Sequence, residues 1–317
     1  MKILVTGGAG FIGSNLVRAL HEGKFFPVEE IIVVDNLSLG RKEFIADLID
    51  NQHVHFYQQD LLDQPALLDV FAKHKPDLVW HLSANSDIGY GAKFTDWDLK
   101  QGTVVTYNVL ESMRRHDVKK IIFSSTSAIY GEAKTMPTPE DYGPLFPISF
   151  YGASKLAGEA LVSSFCHNFG FQAWIFRFAN IVGYNGTHGA IVDFIRRLKQ
   201  DSARLPVLGD GKQAKPYLHV SDCVAGMVFG FAHASDQVNF FNLACSGATS
   251  VTTIAETVIA EIGVKASIEY SGGARGWVGD VAQVRLDPTK MMALGWSARY
   301  SSDEAVRVAT QELIKQL

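Results

Sequence analysis

Cysteine is scarce in this sequence. The 317 residues include three, Cys166, Cys223 and Cys245, which are widely spaced and form no CxxC pair. A disulfide framework or a cysteine-based zinc site needs paired cysteines at short spacing. We therefore expect three reduced structural thiols and neither kind of site.

Long apolar runs and an excess of positive charge are also lacking. No run of about eighteen apolar residues occurs, and the apolar stretch after Met1 is too short for a secretory signal. The formal net charge of -4 gives no positive field for a nucleic-acid backbone. These absences predict a cytoplasmic protein that binds neither membranes nor nucleic acid, and they leave room for a single nucleotide as a ligand.

The first half of the sequence alternates short β-branched runs with stretches of helical periodicity. This pattern predicts an α/β fold with a Rossmann-like, doubly wound parallel sheet, whose ligands lie beyond the carboxyl ends of the strands. The predicted strands are Lys2–Thr6, Glu30–Val34, Val54–Gln58, Leu78–Leu82, Lys120–Ser124 and Gln172–Phe178. The predicted helices are Phe11–Glu22, Pro65–Lys73, Gly102–His116 and Gly152–Phe169.

Beyond about residue 180 this rhythm weakens, because Gly, Asn and Asp cluster at Tyr184–Thr187 and Leu208–Gly211. We predict a Rossmann domain over residues 1–180, completed by a strand and a helix within about 216–235. Residues 181–317 are predicted to form a smaller C-terminal α/β lobe.

A glycine-rich turn follows the first predicted strand. Gly7, Gly10 and Gly13 would let the backbone turn tightly and approach a pyrophosphate, and the helix that begins near Phe11 would supply N–H donors. Asp35 ends the second strand, where a carboxylate can accept both ribose hydroxyls and would repel a 2′-phosphate. The pattern therefore favours NAD over NADP; a structural turn without a ligand is the alternative.

Asp60 and Leu61 follow the third strand, where a side chain could reach the adenine. Capping of the helix that starts near Gln64 is an alternative role for Asp60.

Tyr151 and Lys155 are four residues apart at the start of a predicted helix, so both project from one face. A phenol loses its proton near pH 10, and a general base should titrate closer to neutrality, so its surroundings must lower its pKa. A neighbouring ammonium can do so. We interpret Tyr151 as a catalytic base and Lys155 as the group that tunes it; an exposed i,i+4 pair is the alternative.

Four segments together resemble the extended short-chain dehydrogenase/reductase family, in its NAD-dependent epimerase/dehydratase branch. They are Thr6–Gly13, Asp35, Ser124–Gly131 and Tyr151–Lys155, and Arg177-Phe178-Ala179-Asn180 and Asn242-Leu243 also match. The resemblance implies bound NAD, a nucleoside-diphosphate sugar as substrate, with UDP favoured, and a transient ketone. It also implies a homodimer built through the helices at 102–116 and 152–169.

The resemblance assigns residues to three roles. The implied catalytic residues are Thr126, Tyr151 and Lys155. The implied cofactor-binding residues are Gly7, Gly10, Phe11, Ile12, Gly13, Asp35, Asn36, Ser38, Asp60, Leu61, Leu82, Ser83, Ala84, Ser124, Tyr151 and Lys155. The implied substrate-binding residues are Ser86, Thr126, Asn180, His188, Lys215, Tyr217, Arg275 and Asp280. No metal ligand is assigned.

The residues after Thr126 bear on the reaction type. Dehydratases of this family carry an acid pair there and decarboxylases a Glu, whereas this chain has Ser127 and Ala128. A hydroxyl and a methyl group cannot replace a carboxylate in proton transfer. The sequence thus favours reversible oxidation and reduction at C4, as in 4-epimerases of the UDP-glucose/UDP-galactose type. The alternatives are a dehydratase, decarboxylase or reductase that uses Glu132 or Cys223, and a non-catalytic NAD-binding sensor or scaffold.

Two positions depart from the family pattern, and two histidines raise the separate question of a metal site. Lys215 stands where relatives usually have an arginine, and Leu99 where many have an asparagine. His53 and His55 share one strand face, but the sequence offers no evident third metal ligand.

Overall fold

A computed structural model of the chain describes residues 1–50, 52–273, 281 and 283–317. None of the helices in those ranges has the length and apolar character needed to cross a membrane.

The strands of the described residues are β1 (Lys2–Thr6), β2 (Glu30–Asp35), β3 (Val54–Gln58), β4 (Leu78–His81), β5 (Lys120–Thr126), β6 (Gln172–Phe178), β7 (Asn180–Val182), β8 (Arg204–Val207), β9 (Ala214–Lys215), β10 (Tyr217–His219), β11 (Val238–Leu243), β12 (Thr249–Ser250) and β13 (Ser267–Tyr270). Every strand predicted from the sequence is present, with ends that differ by two residues at most.

The helices are α1 (Phe11–His21), α2 (Gln64–His74), α3 (Ile88–Lys93), α4 (Thr95–Asp98), α5 (Val105–Arg115), α6 (Phe150–Phe169), α7 (Ala190–Gln200), α8 (Val220–His233), α9 (Val251–Ile262), α10 (Thr289–Ala293) and α11 (Ser302–Gln316). Short 3₁₀ turns cover Lys42–Phe44 and Ser127–Tyr130, and a π-helical segment covers Leu99–Val104. The helix predicted at 102–116 therefore continues from this π segment, which in turn follows α4.

The central sheet has seven strands in the order β11-β6-β5-β4-β1-β2-β3 and is parallel. The order reverses at β1, which pairs in parallel with both β2 and β4. The predicted doubly wound α/β fold is confirmed. The sequence did not reveal β11, and the predicted strand near 216 is instead β10, which pairs with β7 outside the central sheet.

One compact unit of the chain comprises Met1–Gly131, Pro144–Arg177 and Met227–Phe241. Its core contains fully buried residues of the sheet, such as Leu4, Ile32 and Val79, and of the covering helices. Helix α6 belongs to this unit. Its N-cap Ser149 accepts a hydrogen bond from Gly152 N at 3.0 Å, and the helix ends at Gly170, which has a left-handed backbone (φ 67°). The cap places Tyr151 in the first turn of α6.

A second compact unit comprises Glu132–Gly143, Phe178–Gly226 and Asn242–Leu317. Helices α7, α9 and α11 enclose its core with β8, through residues such as Ile195, Leu205, Ile254 and Val306. Its strands form the two-stranded pairs β7 with β10, β9 with β12 and β8 with β13. Much of the chain after Phe178 therefore folds around a core of its own.

Candidate active site

The glycine turn between β1 and α1 lies at the carboxyl end of β1, the strand at which the sheet order reverses. Gly7 N donates to Val34 O at 2.9 Å, and Gly10 N donates to Gly7 O at 3.1 Å. A Cβ added to Gly13 would lie 2.0 Å from Gly7 O, so glycine alone allows the helix to approach this closely. No described side chain caps α1 at Gly10, which leaves the first-turn N–H groups of Phe11 and Ile12 for an anion.

Asp35, at the end of β2, is buried beside this turn. Its carboxylate accepts hydrogen bonds from Ala9 N at 3.0 Å and Leu37 N at 2.8 Å. Burial raises the pKa of Asp35, and these two backbone donors counter that rise. Each carboxylate oxygen can accept further hydrogen bonds, so the site can also receive two ribose hydroxyls.

Asp60, two residues after the end of β3, is held by its neighbours. Asn36 Nδ2 donates to Asp60 Oδ2 at 3.1 Å, and Leu62 N donates to Asp60 Oδ1 at 2.9 Å. The cap of α2 is Asp63, which accepts from Ala66 N, so the alternative role of Asp60 as helix cap is wrong. Among the other predicted cofactor residues near these strand ends, Leu61 is buried and Ser38 is exposed.

A buried histidine supports the segment Leu82–Ala84. His81 Nδ1 lies 2.7 Å from Thr6 Oγ1, and His81 Nε2 lies 3.0 Å from Thr106 Oγ1. Burial and the charge of Lys155 lower the pKa of His81 to about 3, so the imidazole is neutral. His81 thus joins β4 to β1 and α5, as expected of a structural histidine. Leu82 N continues the connection by donating to Thr6 O.

Tyr151 and Thr126 meet at the carboxyl end of β5. Thr126 Oγ1 accepts from Ala128 N at 3.2 Å, which leaves its hydroxyl hydrogen to donate to the Tyr151 oxygen. A Cβ on Gly152 would lie 2.7 Å from Ala128 O, so glycine at this position lets α6 pack directly on the turn after β5. This close approach brings together two residues that are 25 positions apart in the sequence.

Lys155 lies one helical turn after Tyr151 and is 3% exposed. Its Nζ donates to Ser124 O at 2.7 Å and to Ser124 Oγ at 3.3 Å, and it lies 4.9 Å from the centre of the Phe123 ring. Burial lowers the pKa of Lys155 to about 7, against the opposing charge of Glu159. The ammonium group can therefore lose and regain its proton near neutral pH.

The protein groups alone do not activate Tyr151. Burial raises the pKa of Tyr151 to about 12; the Thr126 hydrogen bond lowers it and the charge of Asp98 raises it further. The lowered pKa expected of a catalytic base is thus not reached in the chain without its cofactor. A positive charge beside the phenol would lower this pKa.

Asp98 is a carboxylate that sequence reasoning missed. It ends α4, is 1% exposed, and accepts from Asn85 Nδ2 at 3.0 Å through Oδ1. Its Oδ2 has no hydrogen-bond partner among the described residues and lies where a Cβ on Gly91 would fall. Burial raises the pKa of Asp98. The signal for it would have been an acidic residue directly before the Gly102-containing helix, but the π segment there hides which residues face inward.

Three of the predicted substrate residues lie on short strands of the second unit. Asn180 begins β7 and is the Cα partner of Tyr217, which begins β10, and Lys215 ends the adjacent β9. These three residues are half-buried. His188 is exposed in the loop before α7, and its Nδ1 lies 3.0 Å from Thr187 Oγ1. Strand pairing therefore brings Asn180, Lys215 and Tyr217 into one neighbourhood.

Besides His188, three more predicted substrate residues are not shown to lie with that group. Ser86 is exposed in the first unit, on the loop before α3. Arg275 and Asp280 lie outside the described residues.

Of the two histidines that the sequence suggested as a pair, only His55 belongs to a cluster of possible metal ligands among the described residues, and its partners there are Glu30 and His74. Glu30, His55 and His74 present ligand atoms within 4.8 Å of one another. Glu30 Oε1 accepts from both imidazoles, at 3.1 Å from His55 and 2.5 Å from His74, and Lys2 Nζ lies 3.1 Å from Glu30 Oε2. These contacts form a polar cluster around Glu30 at the amino ends of β2 and β3, whereas the glycine turn follows the carboxyl end of β1.

The alternative acid/base groups named from the sequence have little support. Cys223 is fully buried, and burial raises the pKa of its thiol well above the ordinary range. Glu132 is exposed. All three cysteines are buried free thiols, as expected.

Comparisons with known proteins give a consistent result. A family profile described as the NAD dependent epimerase/dehydratase family matches residues 3–244. The UDP-glucose 4-epimerase of Halalkalibacterium halodurans is 31% identical over 325 residues, covering 96% of this chain and 93% of its own. UDP-arabinose 4-epimerase 1 of Arabidopsis thaliana is 30% identical over 332 residues, covering 95% and 76%. The crystal structure of a Thermotoga maritima UDP-glucose 4-epimerase with UDP-glucose is similar with a TM-score of 0.89 at 31% identity, covering 100% and 99%.

Proposed function

The chain belongs to the NAD-dependent epimerase/dehydratase family, and we propose that it is a UDP-sugar 4-epimerase that interconverts UDP-glucose and UDP-galactose. The family predicted from the motifs is confirmed, as is NAD as the cofactor. The observation that carries the proposal is the convergence of Thr126, Tyr151 and Lys155 at the carboxyl end of β5.

The groups around the glycine turn fit NAD. The closely packed turn at Gly13 and the first-turn N–H groups of α1 suit a pyrophosphate, and Asp35 suits the unmodified adenosine ribose. Bound NAD would supply a reversible hydride acceptor and a positively charged ring. That charge would oppose the effect of burial and lower the raised pKa of Tyr151.

The residues of the chain divide the proton chemistry among themselves. Tyr151, as a phenolate, would take the proton from the sugar 4-hydroxyl and return it at the end of the cycle. Thr126, already oriented by Ala128 N, would hold the phenol oxygen and the reacting hydroxyl in line. Lys155 would stabilise the phenolate from its place beside Ser124. The sugar passes through a 4-ketone, and turning it over exposes its opposite face.

Recognition of the diphosphate is assigned to the second unit. We propose Asn180 and Lys215 as donors to the phosphates and Tyr217 as part of the sugar-nucleotide site, on the basis of their shared strand neighbourhood. A lysine at 215 gives a point charge in place of a bidentate fork.

Asp98 is the one observation that favours a second candidate, a dehydratase, because it adds a buried carboxylate near Tyr151. The contacts of Asp98 argue against a role in proton transfer. Oδ1 is held by Asn85 and Oδ2 abuts Gly91, so neither oxygen is presented as a mobile proton carrier.

The proposal is tested by supplying UDP-galactose, UDP-glucose, UDP-arabinose and UDP-N-acetylglucosamine separately and identifying the products by NMR at C4. We expect UDP-galactose and UDP-glucose to interconvert without net change in nicotinamide absorbance. Loss of water would indicate a dehydratase, and consumption of the cofactor a reductase. Absence of any turnover with all four sugars would refute the proposal.

We also propose a homodimer that works in the cytoplasm. Leu99, Val104 and Tyr107, along the π segment and α5, are 56%, 37% and 45% exposed, and Phe169 at the end of α6 is 43% exposed. An exposed apolar strip on two neighbouring helices suits a second copy of the same helices. Light scattering should therefore report a molar mass twice that of one chain, and Tyr107→Glu should reduce it to the mass of a single chain.

The proposed location in the cytoplasm rests on the cysteines, because free, buried thiols suit a reducing compartment.

A further inference from the structure

A buried ion pair joins Glu159, one helical turn after Lys155 on α6, to Arg177 on β6. Arg177 Nε donates to Glu159 Oε1 at 3.0 Å, and Arg177 Nη2 donates to Glu159 Oε2 at 2.8 Å. The two residues are 6% and 8% exposed. A bidentate pair of this kind fixes both side chains in orientation as well as in distance.

Two further residues complete the set of contacts. Ser125 Oγ donates to Glu159 Oε1 at 2.5 Å, and Arg177 Nη1 donates to the Tyr130 hydroxyl at 2.8 Å. The contacts join the end of β5, the 3₁₀ turn that follows it, helix α6 and strand β6. Ser125 stands between Ser124, which accepts from Lys155, and Thr126, which bonds Tyr151. The carboxylate of Glu159 therefore holds the strand end that carries both partners of the proposed base and its tuner.

Glu159 also acts on Lys155 by charge. It lies one helical turn further along α6, on the same face. Burial disfavours the ammonium of Lys155, and Glu159 is the charge that opposes this effect among the described residues. Without it, a lysine buried beside Phe123 would lose its proton more easily.

The other ionisable groups around Lys155 do not replace Glu159. His81 on β4 is neutral, because its pKa is lowered to about 3. Asp98 on α4 acts on Tyr151, where its charge disfavours the phenolate. Arg177 on β6 carries a positive charge, which disfavours a second cation and is paired with the carboxylate of Glu159.

We propose that Glu159, clamped by Arg177 and Ser125, is a positioning residue that keeps Lys155 charged beside Tyr151. The proposal rests on the proposed function, since it gives Glu159 a part in the same proton chemistry. It assigns to this buried ion pair a task in catalysis in addition to its place in the fold.

The test is the pH profile of kcat for Glu159→Gln, with UDP-galactose as substrate. The ammonium of Lys155 exists below its pKa, and the carboxylate of Glu159 raises that pKa. The neutral amide should therefore move the basic limb of the profile to lower pH. For a displacement of about one pH unit, we expect a loss of about tenfold at the basic end and a much smaller loss at the acidic end.

Two controls keep the result interpretable. Glu111→Gln removes a carboxylate that bonds Arg114 and Arg115 on the neighbouring helix α5, and it should leave the shape of the profile unchanged. If Glu159→Gln does not fold because Arg177 is left unpaired, the double variant Glu159→Gln/Arg177→Met removes both charges. A displacement in the same direction but of smaller size is then expected, because the repulsion between Arg177 and Lys155 is removed as well.

A profile for Glu159→Gln, or for the double variant, that is parallel to the wild-type profile at all pH values would overturn the positioning role. That result is distinct from failure of the proposed function, in which the wild-type protein itself would not interconvert the two sugars.

Discussion

The two compact units of the chain present their candidate site residues in contrasting ways. In the first unit, Thr126 and Lys155 are buried and each is held by at least one hydrogen bond of defined length. In the second unit, Asn180, Lys215 and Tyr217 are half-buried at the ends of two- and three-residue strands. Groups that transfer protons need fixed distances and a controlled environment, whereas groups that hold a diphosphate need to be reachable from solvent. If the proposed function is right, we expect residues of the first unit to determine kcat and those of the second mainly to determine KM.

The sharpest way to break this contrast is Tyr151→Phe. The ring and its packing remain, but the group that accepts the proton is removed, so kcat should fall by about 10³-fold while KM changes by less than about threefold. Initial rates of UDP-galactose conversion measure both constants, and circular dichroism confirms the fold. Should kcat remain within about tenfold of wild type, Tyr151 is not the base.

A smaller effect is expected from Lys215→Met in the second unit. Loss of a charge-assisted hydrogen bond to a phosphate should raise KM by about tenfold and leave kcat within about twofold. Lys212→Met is the matched control, since the Lys212 side chain is 88% exposed. If Lys215→Met lowers kcat and leaves KM alone, the proposed division between the units does not hold.

The smallest effect concerns Asp98→Asn. Ionised Asp98 raises the pKa of Tyr151, so a neutral amide should lower that pKa. The phenolate exists above its pKa, and the acidic limb of the kcat profile should therefore move to lower pH, with a gain of a few-fold on that side. Asp96→Asn, at an exposed position paired with Lys100, should leave the limb in place. A dehydratase that relied on Asp98 would instead lose its activity.

Much of the first unit could be predicted from the sequence because its signals are local. The glycine turn follows a strand and opens a helix within a few residues, and Tyr151 and Lys155 are separated by one helical turn. Periodicity likewise placed six strands of the central sheet within two residues of their ends. Each of these patterns can be read without knowing which distant segments are neighbours.

What the sequence left hidden depends on distant partners. Glu159 is a buried carboxylate on helix α6, and its role depends on Arg177, a residue on strand β6. Asn239 and Asn242 interrupt the apolar pattern of β11, although their side chains donate to Ala173 O and Thr138 O. The buried position of Asp98 depends on a π segment, for which the sequence gives no reliable signal. The assignment of Lys215 has the same character, because it depends on strand pairing in the second unit.

The edge strand β11 of the central sheet also constrains how the protein can fold during its synthesis. Strand β11 covers one side of β6, and the chain between Phe178 and Val238 must be synthesised before it can do so. During translation β6 is therefore a bare sheet edge until Leu243 has left the ribosome, and such an edge can pair with other nascent chains. A fragment that ends at residue 180 would keep this edge permanently, so we expect it to aggregate. We expect the shortest N-terminal fragment with a complete central sheet to be one that extends through β11.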